Sequence, residues 1–119
     1  MVAYDLKTAD QMLKTGRYVY VIFMCHLAVE KALKAKISID TKQIPPKTHD
    51  LIYLINLAQV QIPQYLLDFA GVINNAAIIT RYPEDLSKLV SSYPKAITQK
   101  YLKQTKELIK WITKGLKSK

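Results

Sequence analysis

One short stretch, FMCHLAVEKALKAKI, carries three side chains of the types that do chemistry. His26, Glu30 and Lys34 stand four residues apart, so on a helix they form one row along a single face. A carboxylate beside an imidazole raises its basicity and selects its tautomer. A general base or an anion clamp uses that arrangement. The row also has a purely structural reading, in which His26 is satisfied by Glu30 in or beside the core and Glu30 pairs with Lys34. Cys25 adjoins His26, but neighbours on a helix point about 100° apart, so the two form no dyad.

Two further polar knots lie downstream. PPKTHD brings His49 and Asp50 to the start of a helical segment. RYPED holds Arg81, where Pro83 breaks a helix. Arg81 suits a phosphate or Glu30; equally, it suits free helix-end carbonyls or the neighbouring Glu84 and Asp85. A metal is not expected, because no HExxH or CxxC spacing is present.

These residues need elements to position them, and Gly16, Pro45-Pro46, Pro63, Pro83 and Pro94 divide the chain into helix-sized pieces. A first helix is predicted from Ala3 to Thr15, with Tyr4, Leu6, Ala9, Met12 and Leu13 inward and Gly16 as its stop. The second runs from Tyr18 to Ile37. Its start is apolar all round, which predicts the central helix of a bundle. SIDTKQIPPKTHD reads as a loop, with Thr48 as N-cap and Asp50 in the first turn of a third helix, Asp50 to Gln59. Its inward face is Leu51, Leu54, Ile55 and Ala58.

Pro63 opens a fourth helix. Its stripe is Leu66, Phe69, Ala70, Ile73, Ala76, Ala77 and Thr80, and a short turn over Glu84–Val90 follows. Ser92 and Pro94 open the last helix, which runs to Leu116, with Ile97, Tyr101, Thr105, Leu108, Ile112 and Leu116 inward and Ile109 and Trp111 widening the stripe. No segment has a period of two. The expectation is an all-α, up-and-down bundle of four to five helices.

The totals agree with one domain over residues 1–119: the chain has 119 residues, 50% of them apolar, and only three glycines. The net charge of +9 comes from 18 Lys and Arg against 9 Asp and Glu. It allows an anionic partner, or simple solubilisation, since the excess is nearly all lysine. The lone cysteine forms no internal disulfide, which suits an intracellular, cytoplasmic protein. The start reads as no signal peptide, and the apolar run Tyr18–Val29 is too short to span a bilayer. Tyr18 and Tyr20 exceed what one small core buries and fit a homodimer interface; base stacking is the alternative.

The order A-x-x-x-L-x-x-G-x-Y, CHLAVEKALKA, P-x-T-H-D-L and T-R-Y-P-E-D resembles the HEPN family, the higher-eukaryote and prokaryote nucleotide-binding domain, over nearly the whole chain. The resemblance implies a helical bundle, commonly homodimeric, acting with a minimal nucleotidyltransferase, in some cases as a toxin–antitoxin pair. Some relatives are metal-independent ribonucleases marked by an arginine followed four to six residues later by a histidine. Here YPEDLSKLV follows Arg81 with no histidine, and Arg17 precedes His26 by nine positions, on the opposite face. The resemblance therefore points to a non-catalytic module with no cofactor, whose nucleotide or ligand pocket is His26, Glu30, Lys34, His49, Asp50 and Arg81. A ribonuclease or toxin, and a bundle binding RNA through its lysine-rich last helix at Lys106 and Lys110, are the alternatives.

Overall fold

The computed structural model describes residues 2–81 and 93–117, with side chains over 2–77 and 93–114. Five helices follow one another among these residues: α1 Val2–Lys14, α2 Tyr18–Thr41, α3 Leu51–Ala58, α4 Gln64–Arg81 and α5 Lys95–Lys117. The predicted turn over Glu84–Val90 lies outside the described residues.

α2 is the axis of the bundle and packs against each of the other four helices. Its 24 residues make a rod about 36 Å long at 1.5 Å per residue, which accounts for most of the 44 Å long dimension. Val21, Ile22, Cys25, Ala28, Val29, Ala32, Leu33 and Ile37 of α2 are buried, over about half the circumference of the helix at 100° per residue. Each large side chain among them contributes ~1.5–3 kcal/mol by leaving water.

The turn from α1 into α2 depends on Gly16. Its φ of +80° is left-handed backbone that glycine adopts without cost. Gly16 N–H donates to Leu13 O at 3.3 Å and Arg17 N–H to Met12 O at 2.8 Å, the paired bonds of a Schellman stop. The chain reverses, and Asp5 near the start of α1 meets Lys31 of α2 at 2.9 Å. α4 and α5 are likewise antiparallel: Tyr65 hydroxyl donates to Glu107 at 2.8 Å, and one turn along α4 the rings of Phe69 and Tyr101 lie 5.7 Å apart.

The buried faces of α3 and of α4 through Ala77 are those the sequence predicts. Three expectations are corrected. α2 does not stop at Ile37: Thr41 hydroxyl bonds Ile37 O at 2.7 Å, Lys36 pairs with Asp40, and the helix ends only at Lys42, whose φ is 57°. In α1 the inward position is Asp5 rather than Tyr4, which is 66% exposed, because Lys31 supplies the charge that lets Asp5 be buried. In α5, Ile97 and Trp111 face outward while Thr98 and Leu102 are buried. Thr98 hydroxyl is satisfied by Pro94 O at 3.0 Å, so its polarity is no obstacle.

Candidate functional site

Glu30 is the centre of the polar cluster. It sits on α2 with its side chain 8% exposed. Oε1 accepts from His49 Nδ1 at 2.7 Å and Oε2 from Lys34 Nζ at 3.2 Å. Burial, the largest influence on the carboxyl, raises its pKa, but the hydrogen bonds and charges of His49 and Lys34 together outweigh it and hold Glu30 below its ordinary value. The carboxylate is therefore ionised and doubly held.

The hydrogen bond expected between His26 and Glu30 is not made. His26 Nδ1 lies 3.8 Å from Glu30 Oε1, beyond hydrogen-bond reach, because His49 has taken that oxygen. The buried imidazole turns its other nitrogen to Asn74 of α4, with Nε2 3.4 Å from Asn74 Oδ1. That same oxygen accepts from Leu51 N–H at 3.1 Å, and Asn74 Nδ2 donates to Asp50 Oδ1 at 3.1 Å. The two outer bonds fix the amide orientation, so His26 must carry its proton on Nε2 to meet an acceptor.

Asp50 is the N-cap of α3, its Oδ1 accepting from Ile52 and Tyr53 N–H at 3.1 and 3.4 Å. The expectation of Thr48 as the cap is corrected by two positions: Thr48 hydroxyl accepts from Asp50 N–H at 3.2 Å and so positions the cap. The helix begins at Leu51, where Asn74 reaches the first orphan N–H.

The structure thus brings five of the six predicted site residues together in two hydrogen-bonded groups, Lys34–Glu30–His49 and His26–Asn74–Asp50, which meet where His26 Nδ1 and Glu30 Oε1 stand 3.8 Å apart. Asp50 and His26 hold the frame that fixes α3 on α2 and α4. Lys34 and His49 occupy the rim, with side chains 24% and 61% exposed. Arg81 ends α4, and its side chain lies outside the described residues. Seven residues beyond Asn74, its backbone is about two turns, ~10 Å, further along the same side of α4.

Asn74 was not singled out from sequence, although a signal exists. It falls at i+4 from Ala70 and i−3 from Ala77, inside an otherwise apolar stripe, where a polar side chain must find a partner. Among the described residues no three His, Cys, Asp or Glu side chains gather as a metal-ligand set. None of the described helices is long and apolar enough to cross a membrane.

Fold and site together define a helical bundle whose polar centre ties the third helix to the second and fourth. The family model of the HEPN domain matches residues 3–116, and the chain belongs to that family. Its fold is also similar to the crystal structure of TT1696 from Thermus thermophilus, with a TM-score of 0.78 and 20% identity over 95% of this chain and 91% of that one. No curated protein matches the sequence.

Proposed function

We propose that this chain is a non-catalytic HEPN module that holds the phosphate end of a nucleotide at Lys34 and His49, and that it acts beside a minimal nucleotidyltransferase as a homodimer. One observation carries the binding reading. A buried, ionised Glu30 grips both an ammonium and a half-exposed imidazole. Two donors are thereby held a few ångströms apart at the surface with little rotamer freedom left to lose, the economy that preorganisation gives a binding site. Because His49 uses Nδ1 for Glu30, Nε2 is the nitrogen left to meet a ligand. Tyr20, 60% exposed on α2, supports the dimer.

A second reading has its own support: a carboxylate that holds an imidazole through Nδ1 is also how a general base is built. In that case the chain is a metal-independent ribonuclease or toxin using His49 with Arg81.

Calorimetry and thermal shift with nucleoside mono-, di- and triphosphates separate the readings. The binding module gains stability with ligand, loses that gain in His49→Ala and Lys34→Gln, and leaves RNA intact. RNA cleavage abolished by His49→Ala selects the ribonuclease. Co-purification with the product of an adjoining nucleotidyltransferase gene tests the partner.

A further inference from the structure

Among the described residues, the outer face of α5 carries a row of lysines that the central cluster does not use. At 100° per residue, Lys100, Lys103, Lys110 and Lys114 fall within an arc of about 80° and along about 21 Å of helix. All four are exposed. Among the described residues no carboxylate pairs with any of them, whereas Lys106, just beyond the arc, is tied to Asp10 at 3.0 and 3.1 Å. The acid inside the arc, Glu107, accepts the Tyr65 hydroxyl at 2.8 Å.

Aromatic surface borders the row on the α4 side. Tyr65 is 55% exposed and Trp111 37%, and Lys114 Nζ stands 5.1 Å from the Trp111 ring centre. A helix face that serves only solubility has no need of tryptophan at its edge. Four ammonium groups without a carboxylate partner alongside two exposed rings match the two edges of a single nucleic-acid strand, phosphates on one side and bases on the other.

We propose that this face of α5 is a docking surface for single-stranded nucleic acid, the lysine row taking phosphates and Trp111 with Tyr65 taking bases. It is separate from the Glu30 cluster and independent of it. The strand lies along the helix, so its length on the protein is set by the distance from Lys100 to Lys114. Sequence preference is weak, because ammonium groups read charge and stacking accepts every base.

The test is fluorescence anisotropy of labelled single-stranded RNA and DNA of mixed sequence with the full chain, across a salt series. Lys103→Gln with Lys110→Gln should weaken binding about tenfold or more and lower the salt slope by about 1.4, at about 0.7 for each phosphate contact on a single strand. Trp111→Ala should weaken binding severalfold while leaving the salt slope unchanged, and Trp111→Phe should restore most of it. Lys47→Gln, an exposed lysine in the α2–α3 loop, should bind as the unmodified chain does. Circular dichroism of each variant establishes that the bundle is folded, and Lys-to-Gln changes on an exposed face give that control. Equal affinity of the double lysine variant and the unmodified chain overturns the proposal. So does duplex bound as tightly as single strand, or polyglutamate or anionic vesicles bound as tightly through the same lysines, since each replaces strand recognition by undirected charge.

Discussion

His49 Nδ1 and Glu30 Oε1 meet at 2.7 Å, joining an imidazole at the surface to a carboxylate inside α2's buried row. Glu30→Gln keeps the volume and removes the charge that both His49 and Lys34 use. Loss of charge-assisted bonds to a buried group predicts destabilisation of ~1.5–3 kcal/mol, measured by urea unfolding. The pH dependence has a definite sign. The Glu30 pKa is lower in the folded chain than its ordinary value of 4.5, so in the acid range the unfolded chain binds more protons and stability rises with pH. The contribution is fully present above the ordinary value and disappears as pH falls through the folded one. The stability gap between the unmodified chain and Glu30→Gln should therefore be widest near neutrality and close in acid; a gap constant down to acid pH would refute the assignment.

Asn74 bridges three partners on two other elements: Leu51 N–H, Asp50 and His26. Asn74→Leu removes one partner of a buried imidazole and strands the first N–H of α3, a cost of ~1–3 kcal/mol for the unsatisfied buried group. Asn74→Asp should fare no better, since it retains the acceptor but sets a second carboxylate against Asp50. Amide hydrogen exchange gives the local reading: Leu51 should exchange faster in either variant, while Val29 and Leu33 in the middle of α2 keep their protection relative to global unfolding.

Asp50 accounts for a separate part of the same corner. Asp50→Ala removes the acceptor for Ile52 and Tyr53 N–H and should cost ~1 kcal/mol, whereas Asp50→Ser, a competent cap, should recover most of it. Equal thermal midpoints for the alanine and serine variants would show that the cap contributes nothing there.

The apolar periodicity of α3 and α4 made their buried faces legible, because a 3.6-residue repeat has one inward solution for a helix packed on one side. α2 was legible as the central helix because its start is apolar nearly all round, and each of the other four helices packs on it. The polar centre was less so. Spacing brought His26, Glu30 and Lys34 onto one face and anticipated the Glu30–Lys34 pair, but the other partners, His49 for Glu30 and Asn74 for His26, are distant in sequence, and no local rule says which nitrogen meets which oxygen. The extension of α2 through Ser38-Ile39-Asp40-Thr41 was hidden because these residues have weak helix propensity; the Lys36–Asp40 pair and the Thr41 back-bond to Ile37 carry the helix past them. In α1, Tyr4 and Asp5 are adjacent, so which one points inward rests on about 100° of rotation and is decided by Lys31, a residue on another helix.

Gly16 tests the backbone alone. A Cβ built there meets nothing within 4 Å, so steric clash with the rest of the bundle plays no part in the outcome. Its φ of +80° is the whole obstacle. Gly16→Ala should cost ~1 kcal/mol and Gly16→Asn less, since asparagine tolerates left-handed backbone. Thermal unfolding of the two variants checks the order, and a larger loss for asparagine would place the cost in the side chain instead.

Cys25 adjoins His26 in sequence but stands apart from the Glu30 cluster. It is fully buried, and burial pushes its thiol up to about 12, against the opposing influence of Thr105 beside it. Only the thiolate attacks a disulfide reagent, so at neutral pH the folded chain should be inert, both for want of thiolate and for want of access. Reaction then requires opening of the α2–α5 packing. In urea, the labelling rate should rise in step with the unfolded fraction measured by circular dichroism, and Glu30→Gln, by lowering stability, should speed labelling at fixed urea by the factor its free-energy loss dictates. Rapid labelling of the unmodified chain in water, at the rate of a free thiol, would mean that α2 and α5 part far more readily than their close packing allows.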